Sequence, residues 1–315
     1  MGEWTLNKGF TYTEIIDHRG EGRPLLDYLA GRYAHTSKEV WEERIRAGLV
    51  LLGEHPAHCM DVLFRGQRVT WLRPPWEEPA VPLAYAVLME DEDLLAVAKP
   101  SGLPTLPGGG YLEHTLLALV RRRHPGASPI HRLGRATSGV VLFARTADSS
   151  RMLCHALREH QMTKIYRALV QGSPLREAFT VAVPIGPVAH LALGTVHAAS
   201  EQGRPSTSHV RVLERRDRDS LVEVQIETGR PHQIRIHLAA CGHPLVGDPL
   251  YASGGGLRSD GNALPGDGGY NLHALRLTLR HPRSGKRLVI ECQAPPILRP
   301  GFPALLPASA VVSNE

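Results

Sequence analysis

Residues 228–251, TGRPHQIRIHLAACGHPLVGDPLY, follow the β-branched run LVEVQIE and open on a turn signal, Thr-Gly-Arg-Pro. Pro231 suits the first turn of a helix, where its missing N–H is one that the helix leaves unpaired anyway. Ile234, Leu238 and Cys241 then share one face, so the spacing predicts a short helix from Pro231 directly after a strand.

Outward from this point the strand signals multiply. From Tyr85 onward they recur as DLLAVAKP, GVVLFART, KIYRALVQG, HVRVLER, LVEVQIETG, LRLTLRHP and RLVIECQAP. Only two other segments there have helical spacing, EHTLLALVRRRH with Leu116, Leu117 and Val120, and SSRMLCHALREHQ with Met152, Leu153, Ala156 and Leu157. Many strands with few helices predict an α+β domain on a mixed, mainly antiparallel sheet with flanking helices.

Residues 23–50 read as two short helices, one with Leu25, Leu26 and Leu29 inward, the other with Val40, Trp41 and Ile45. The expected organisation is a small N-terminal module over 1–73, a Pro/Trp linker over 74–84, the main domain over 85–298 and a flexible tail over 299–315. Residues 253–269 hold seven glycines and little apolar content, which predicts a mobile surface loop.

Composition narrows the class. At 315 residues and 42% hydrophobic content the chain can bury a full core, and a net charge of +5 favours a polyanionic partner. The four cysteines lie far apart without a C-x-x-C pair, which speaks against a disulfide framework or a four-cysteine zinc site and fits a reducing cytoplasm. No run of about 18 apolar residues occurs, so no membrane association is expected.

Chemistry-bearing residues gather where strands end: AVAKPSGLP, HRLGRATSG, KIYRALVQG and the opening 24-residue stretch. Taken singly, Lys99 is a strand-end charge, Tyr166 a half-buried aromatic and Arg235 a snorkelling helix residue. Zinc ligation by HPAHC and HLAACGH, and phosphate binding by PGGG, which lacks the following Lys-Ser/Thr pair, are weaker alternatives.

Taken together and in this order, from about Val87 to Ala294, these segments resemble the RluA-type RNA pseudouridine synthases. TGRPHQIRIHLAACGHPLVGDPLY carries most of the likeness, and KPSGLP, K-x-Y and LHALRLTLRHP add to it. The N-terminal module resembles a degenerate alpha-L RNA-binding domain. The resemblance implies a pseudouridine synthase-like fold and isomerisation of uridine in ribosomal or transfer RNA, without cofactor or metal, by a monomer. The C1′–N1 bond breaks, the uracil turns, and C5 joins C1′, on a base flipped out of the RNA into a pocket.

By resemblance, Arg132 takes the place of the flipped base, Tyr166 packs on the uracil and is a base for the C5 proton, and Arg235 pairs with the catalytic carboxylate. Lys99, His131, Arg132, Arg135, Thr137, Arg230, His232 and Gln233 are the expected RNA-binding residues. The departure is Gly134, where the family pattern HRLD has its catalytic aspartate. Simple loss of that group predicts a rate loss on the order of 10⁴ to 10⁶ and leaves Arg235 without its partner.

Replacement acids are hard to place. Asp148 lies beyond a strand of about 26 Å, Asp91 and Asp93 stand at the far end of the strand leading to Lys99, and Asp248 reads as structural. Asp260 and Asp267 of the glycine-rich loop remain. A catalytically impaired RNA-binding protein of the same fold, acting in RNA folding or ribosome assembly, is the alternative reading.

Overall fold

The computed structural model describes residues 6–33, 36–259 and 263–302. The chain divides into two compact units, one of residues 1–79 with 189–195, the other of residues 80–188 and 196–315.

The first unit is built from β1 (Phe10–Ile15), α1 (Leu25–Arg32), α2 (Lys38–Arg46), β2 (Val50–Leu52), β3 (His55–Pro56) and β4 (Arg68–Arg73). Its strands form an antiparallel sheet in the order β1-β4-β2-β3. Leu25, Leu26 and Leu29 of α1 and Trp41 and Ile45 of α2 are buried together, whereas Val40, expected inward, is exposed. Arg44 lies over both Trp41 and Trp71, at 4.7 and 4.3 Å from the ring centroids.

In the second unit β5 (Ala86–Glu90) and β6 (Leu94–Lys99) form a hairpin, followed by α3 (Leu116–Arg123), β7 (Ser128–Pro129), β8 (Ser138–Ala144) and α4 (Ala147–Arg158). Then come β9 (Thr163–Gln171), β10 (Ala178–Val181), the hairpin β11 (Ile185–His190) and β12 (Gly194–Ala199), β13 (Ser208–Arg215) and β14 (Asp219–Ile226). The helix α5 (Gln233–Ala240) and strands β15 (Leu272–Arg280) and β16 (Arg287–Glu291) complete it. The large sheet runs β10-β13-β14-β9-β15-β8-β6-β5, with β16 on β15 and β7 on β8. Its pairings are antiparallel except for β15 with β8, so the α+β reading of a mixed, mainly antiparallel sheet stands.

That one parallel pairing positions the site, and a glycine permits it. Gly139 has φ +113, and a Cβ there would lie 2.2 Å from the carbonyl oxygen of Ala274. Only a residue without a side chain lets β8 meet β15 so closely. The segment entering β8, HRLGRATSG, is thereby held beside the start of β15, and Ser138 Oγ adds a 2.8 Å bond to His273 Nδ1.

Helices α2, α3 and α4 start where side chains satisfy their free N–H groups. Thr115 accepts from Ala118 N, and Thr146 and Ser149 form a reciprocal capping box on α4. Met152, expected to face inward from α4, is exposed, and Leu153 carries the burial. The helix predicted from Pro231 starts two residues later, after His232 in the left-handed region at φ 56. It is not one-faced: Gln233 through Ala239 are all buried, Ile234 and Leu238 on one side, Ile236 and Ala239 on the other. A helix covered all round loses the polar stripe that periodicity looks for. Cys241, expected on its apolar face, is the exposed residue at its end.

Candidate active site

The loop 131–139 is stitched to the turn after β6. Lys99 Nζ donates to the carbonyls of Pro100, Leu103 and Arg135 at 2.8, 2.6 and 3.1 Å. Ser101 Oγ donates to Ala136 O, and Thr105 Oγ1 both donates to Leu133 O and accepts from Leu133 N. Lys99 is 1% exposed with all three protons committed, which corrects its reading as an RNA-binding cation. Burial pulls Lys99 down to about 7, while three carbonyls that can only accept oppose that shift. Its role is to fix the loop's shape.

His131 is corrected likewise. Its Nε2 accepts from the backbone N–H of Leu142 at 3.2 Å, and burial, with the nearby Lys164 charge, lowers it to about 4. A neutral ring tied to β8 positions the loop rather than contacting phosphate. Thr137 is buried too: its backbone N–H closes a turn on Gly134 O, and its hydroxyl faces Tyr270. Arg132, by contrast, is exposed and makes no hydrogen bond among the described residues. Its charge reaches His232.

Gly134 is exposed, and its φ lies outside the left-handed region, so the backbone does not require glycine. A Cβ built there would have two neighbours within 4 Å, Tyr270 Oη at 3.2 Å and Thr137 Oγ1 at 3.6 Å. No carboxylate among the described residues lies that close. Asp148 is exposed in the first turn of α4, paired with Arg151 beyond the far end of β8. Asp91 and Asp93 pair with His281 and Arg283 at the start of β6. Asp267 caps Leu264 N at 2.8 Å and lies 3.8 Å from Arg135. Asp260 lies outside the described residues.

Arg235 has not lost its partner. Its Nε and Nη2 donate to the two carboxylate oxygens of Asp248 at 2.7 and 2.8 Å, and Nη1 donates to Pro265 O at 3.1 Å. The side chains are 2% and 1% exposed. The guanidinium lies between two rings, with Cζ 4.9 Å from the Tyr251 centroid and 4.3 Å from that of Tyr270. Burial pulls Arg235 down, and the bond and charge of Asp248, together with Tyr270 and Tyr251, more than offset it. The expectation that Arg235 needs a carboxylate at 134 is therefore corrected: Asp248 supplies the charge. Asp248 also accepts from the N–H groups of Leu250 and Tyr251, so it is consumed as an acid by the scaffold.

Gln233 is corrected from an RNA contact to an internal brace. Its amide donates to Thr207 O and Ser208 Oγ, and its oxygen accepts from Thr228 Oγ1 and Arg230 N. His232 is half-buried. Tyr251 Oη donates to His197 O, which leaves its oxygen to accept from His232 Nδ1 at 2.8 Å. Burial lowers His232 to about 3, so it is neutral with Nε2 as its acceptor. The Arg230 side chain reaches only Pro205 O among the described residues, at 3.4 Å, and Arg135 spans Gly266 O and the Tyr111 hydroxyl. This ties the described part of the glycine-rich loop to the site. Asp267 caps Leu264 N, and Gly255 lies close against Ala199 and Ala240.

Tyr166, on β9, shares one buried cluster with Leu133 and Ala136 of the loop, Ile234 of α5, and Tyr270 and Ala274. Burial pushes its hydroxyl up to about 12, and the hydroxyl makes no hydrogen bond among the described residues. Residues from four segments far apart in sequence thus share this cluster, and Tyr270 carries it to the edge of Gly134. Sequence reasoning missed Tyr270, which stands alone among glycines before LHALRLTLR with no periodic signal, and the pairing of Arg235 with a residue 13 positions away.

A family model described as RNA pseudouridylate synthase matches residues 93–240. An uncharacterized RNA pseudouridine synthase of Synechocystis sp. is 42% identical over 276 residues, 87% of this chain and 95% of that protein. The ribosomal large subunit pseudouridine synthase D of Neisseria meningitidis is 32% identical, over 84% of this chain and 72% of that one. Among solved structures, human RNA pseudouridylate synthase domain containing 1 superposes with a TM-score of 0.55 at 26% identity, over 70% of this chain and 89% of that chain. With this identity extending over most of both chains, and the loop, Tyr166 and Arg235 brought together, the chain belongs to the RNA pseudouridine synthase family.

Proposed function

We propose that this protein converts uridine to pseudouridine in structured RNA, ribosomal or transfer, within the cytoplasm, at the site centred on Gly134. The observation that carries the reading is a loop kept in order around the position of a missing carboxylate. The Arg235–Asp248 pair is buried and bidentate, and the loop is pinned by Lys99, Ser101 and Thr105. A binding surface alone has no need of so costly a buried ion pair beside it.

In this reading Arg132, exposed at the loop's rim, occupies the gap left in the RNA when the uridine flips out. Tyr166 supplies an apolar face against the uracil, and Arg230 and His232 border the backbone. Purified protein incubated with total RNA from a strain lacking its gene should produce pseudouridine by nucleoside mass spectrometry. RNA retained by the protein without any pseudouridine would favour the impaired, RNA-binding alternative, for which the absence, among the described residues, of a carboxylate within 4 Å of a Cβ built at Gly134 is the specific support.

A further inference from the structure

Gly134 leaves a space, and the nearest atom to the side chain it lacks is the hydroxyl of Tyr270, 3.2 Å from where Cβ would sit. An aspartate at 134 would extend its carboxylate into the neighbourhood that this phenol oxygen already holds. The hydroxyl is lightly tethered: its hydrogen bond among the described residues, to Thr137 Oγ1, is 3.5 Å long. Its ring carries the Arg235 guanidinium 4.3 Å from the centroid, a contact that holds the ring in place. Tyr270 itself is 6% exposed, while Gly134 beside it is open to solvent, so the approach to the hydroxyl runs through the gap of the absent side chain.

We propose that Tyr270 is the catalytic nucleophile, taking over at C1′ of the uridine the task of the missing carboxylate; this rests on the isomerase reading above. The phenol oxygen bonds to C1′ as the C1′–N1 bond breaks, and that electron pair leaves with the uracil. The phenolic proton passes to N1, directly or through the Thr137 hydroxyl. After the uracil turns, C5 bonds to C1′, the C1′–O bond breaks, and its electron pair returns to the phenolate. The C5 proton then restores the phenol. The proton gained at N1 and the one lost from C5 balance, so the cycle needs no co-reactant. A tyrosine nucleophile at an anomeric carbon has precedent in glycosidases.

The test compares the full chain with Tyr270→Phe, Gly134→Asp and the double variant on the same RNA, measuring turnover and, separately, RNA affinity. Tyr270→Phe should lose at least a hundredfold in turnover while binding RNA within about twofold of the parent. In the double variant the crowded 3.2 Å contact is gone, so the carboxylate should fit and restore most of the lost turnover. Site-specific fluorotyrosine at 270, a nearly isosteric change that weakens the phenol oxygen as a nucleophile, should lower turnover severalfold at unchanged RNA affinity even if the Phe variant folds poorly. A Phe variant within threefold of the parent, or unchanged turnover with fluorotyrosine, overturns the tyrosine role and leaves the isomerase reading standing. A parent that binds RNA but forms no pseudouridine overturns both.

Discussion

Replacing Asp248 by Asn keeps the shape of the side chain and removes its charge, which isolates the ion pair holding Arg235. Oδ1 accepts from Arg235 Nη2, Leu250 N and Tyr251 N, and Oδ2 accepts from Arg235 Nε at 2.7 Å. An asparagine can keep its oxygen on the first three. Its NH₂ must then face Arg235 Nε, donor against donor, in a place where both side chains are almost fully buried. Breaking one partner of a buried pair costs about 3–5 kcal/mol, because the remaining charge is left without solvent or counter-ion. At about 2–4 °C per kcal/mol for a unit of this size, the melting temperature should fall by roughly 6–20 °C. Thermal melts read by near-UV circular dichroism, with urea titrations for the free energy, would measure it. The companion double variant Arg235→Met/Asp248→Leu removes both charges and should recover much of the loss, giving a large coupling energy in the cycle. An Asn variant within about 1 kcal/mol of the parent would refute the reasoning, since the guanidinium would then be satisfied by Pro265 O and the two tyrosine rings alone.

Two further outcomes follow from other parts of the site. His131 is held near a pKa of about 4 when folded against an ordinary 6.5, so between these values the unfolded chain binds the proton and the folded one does not. The stability it supports is full above about pH 6.5 and is lost as pH falls toward 4, by at most about 3 kcal/mol. His131→Gln, whose amide oxygen can still accept from Leu142 N, should flatten that part of the stability profile; an unchanged slope in urea titrations would assign it elsewhere. Arg132, exposed and unbonded, should contribute to RNA affinity as a charge, so Arg132→Ala should weaken binding and reduce the slope of log K against log salt by about one. A salt slope identical to the parent's would mean that Arg132 does not meet phosphate.

The sheet was legible because its strands are continuous apolar runs, and a run such as Val140–Ala144 has little alternative to burial within a sheet. The helix α5 was found but misread, since Gln233, Arg235 and His237 are buried through bonds to partners that no periodic pattern announces. The same physics misassigned Lys99 and His131. A cation or imidazole at a strand end looks available for RNA, and only the fold reveals the carbonyls and N–H group that have already claimed it. Gly134 is the converse case. As a letter in HRLG it reads as a deletion, because sequence records the lost carboxylate and not what stands 136 positions later. The close passage of β8 and β15, which Gly139 permits, brings Tyr270 Oη to the edge of that gap. A substitution that looks like loss along the chain can thus be an exchange of one oxygen nucleophile for another across it, and the chemistry of the loop has to be judged with β15 included.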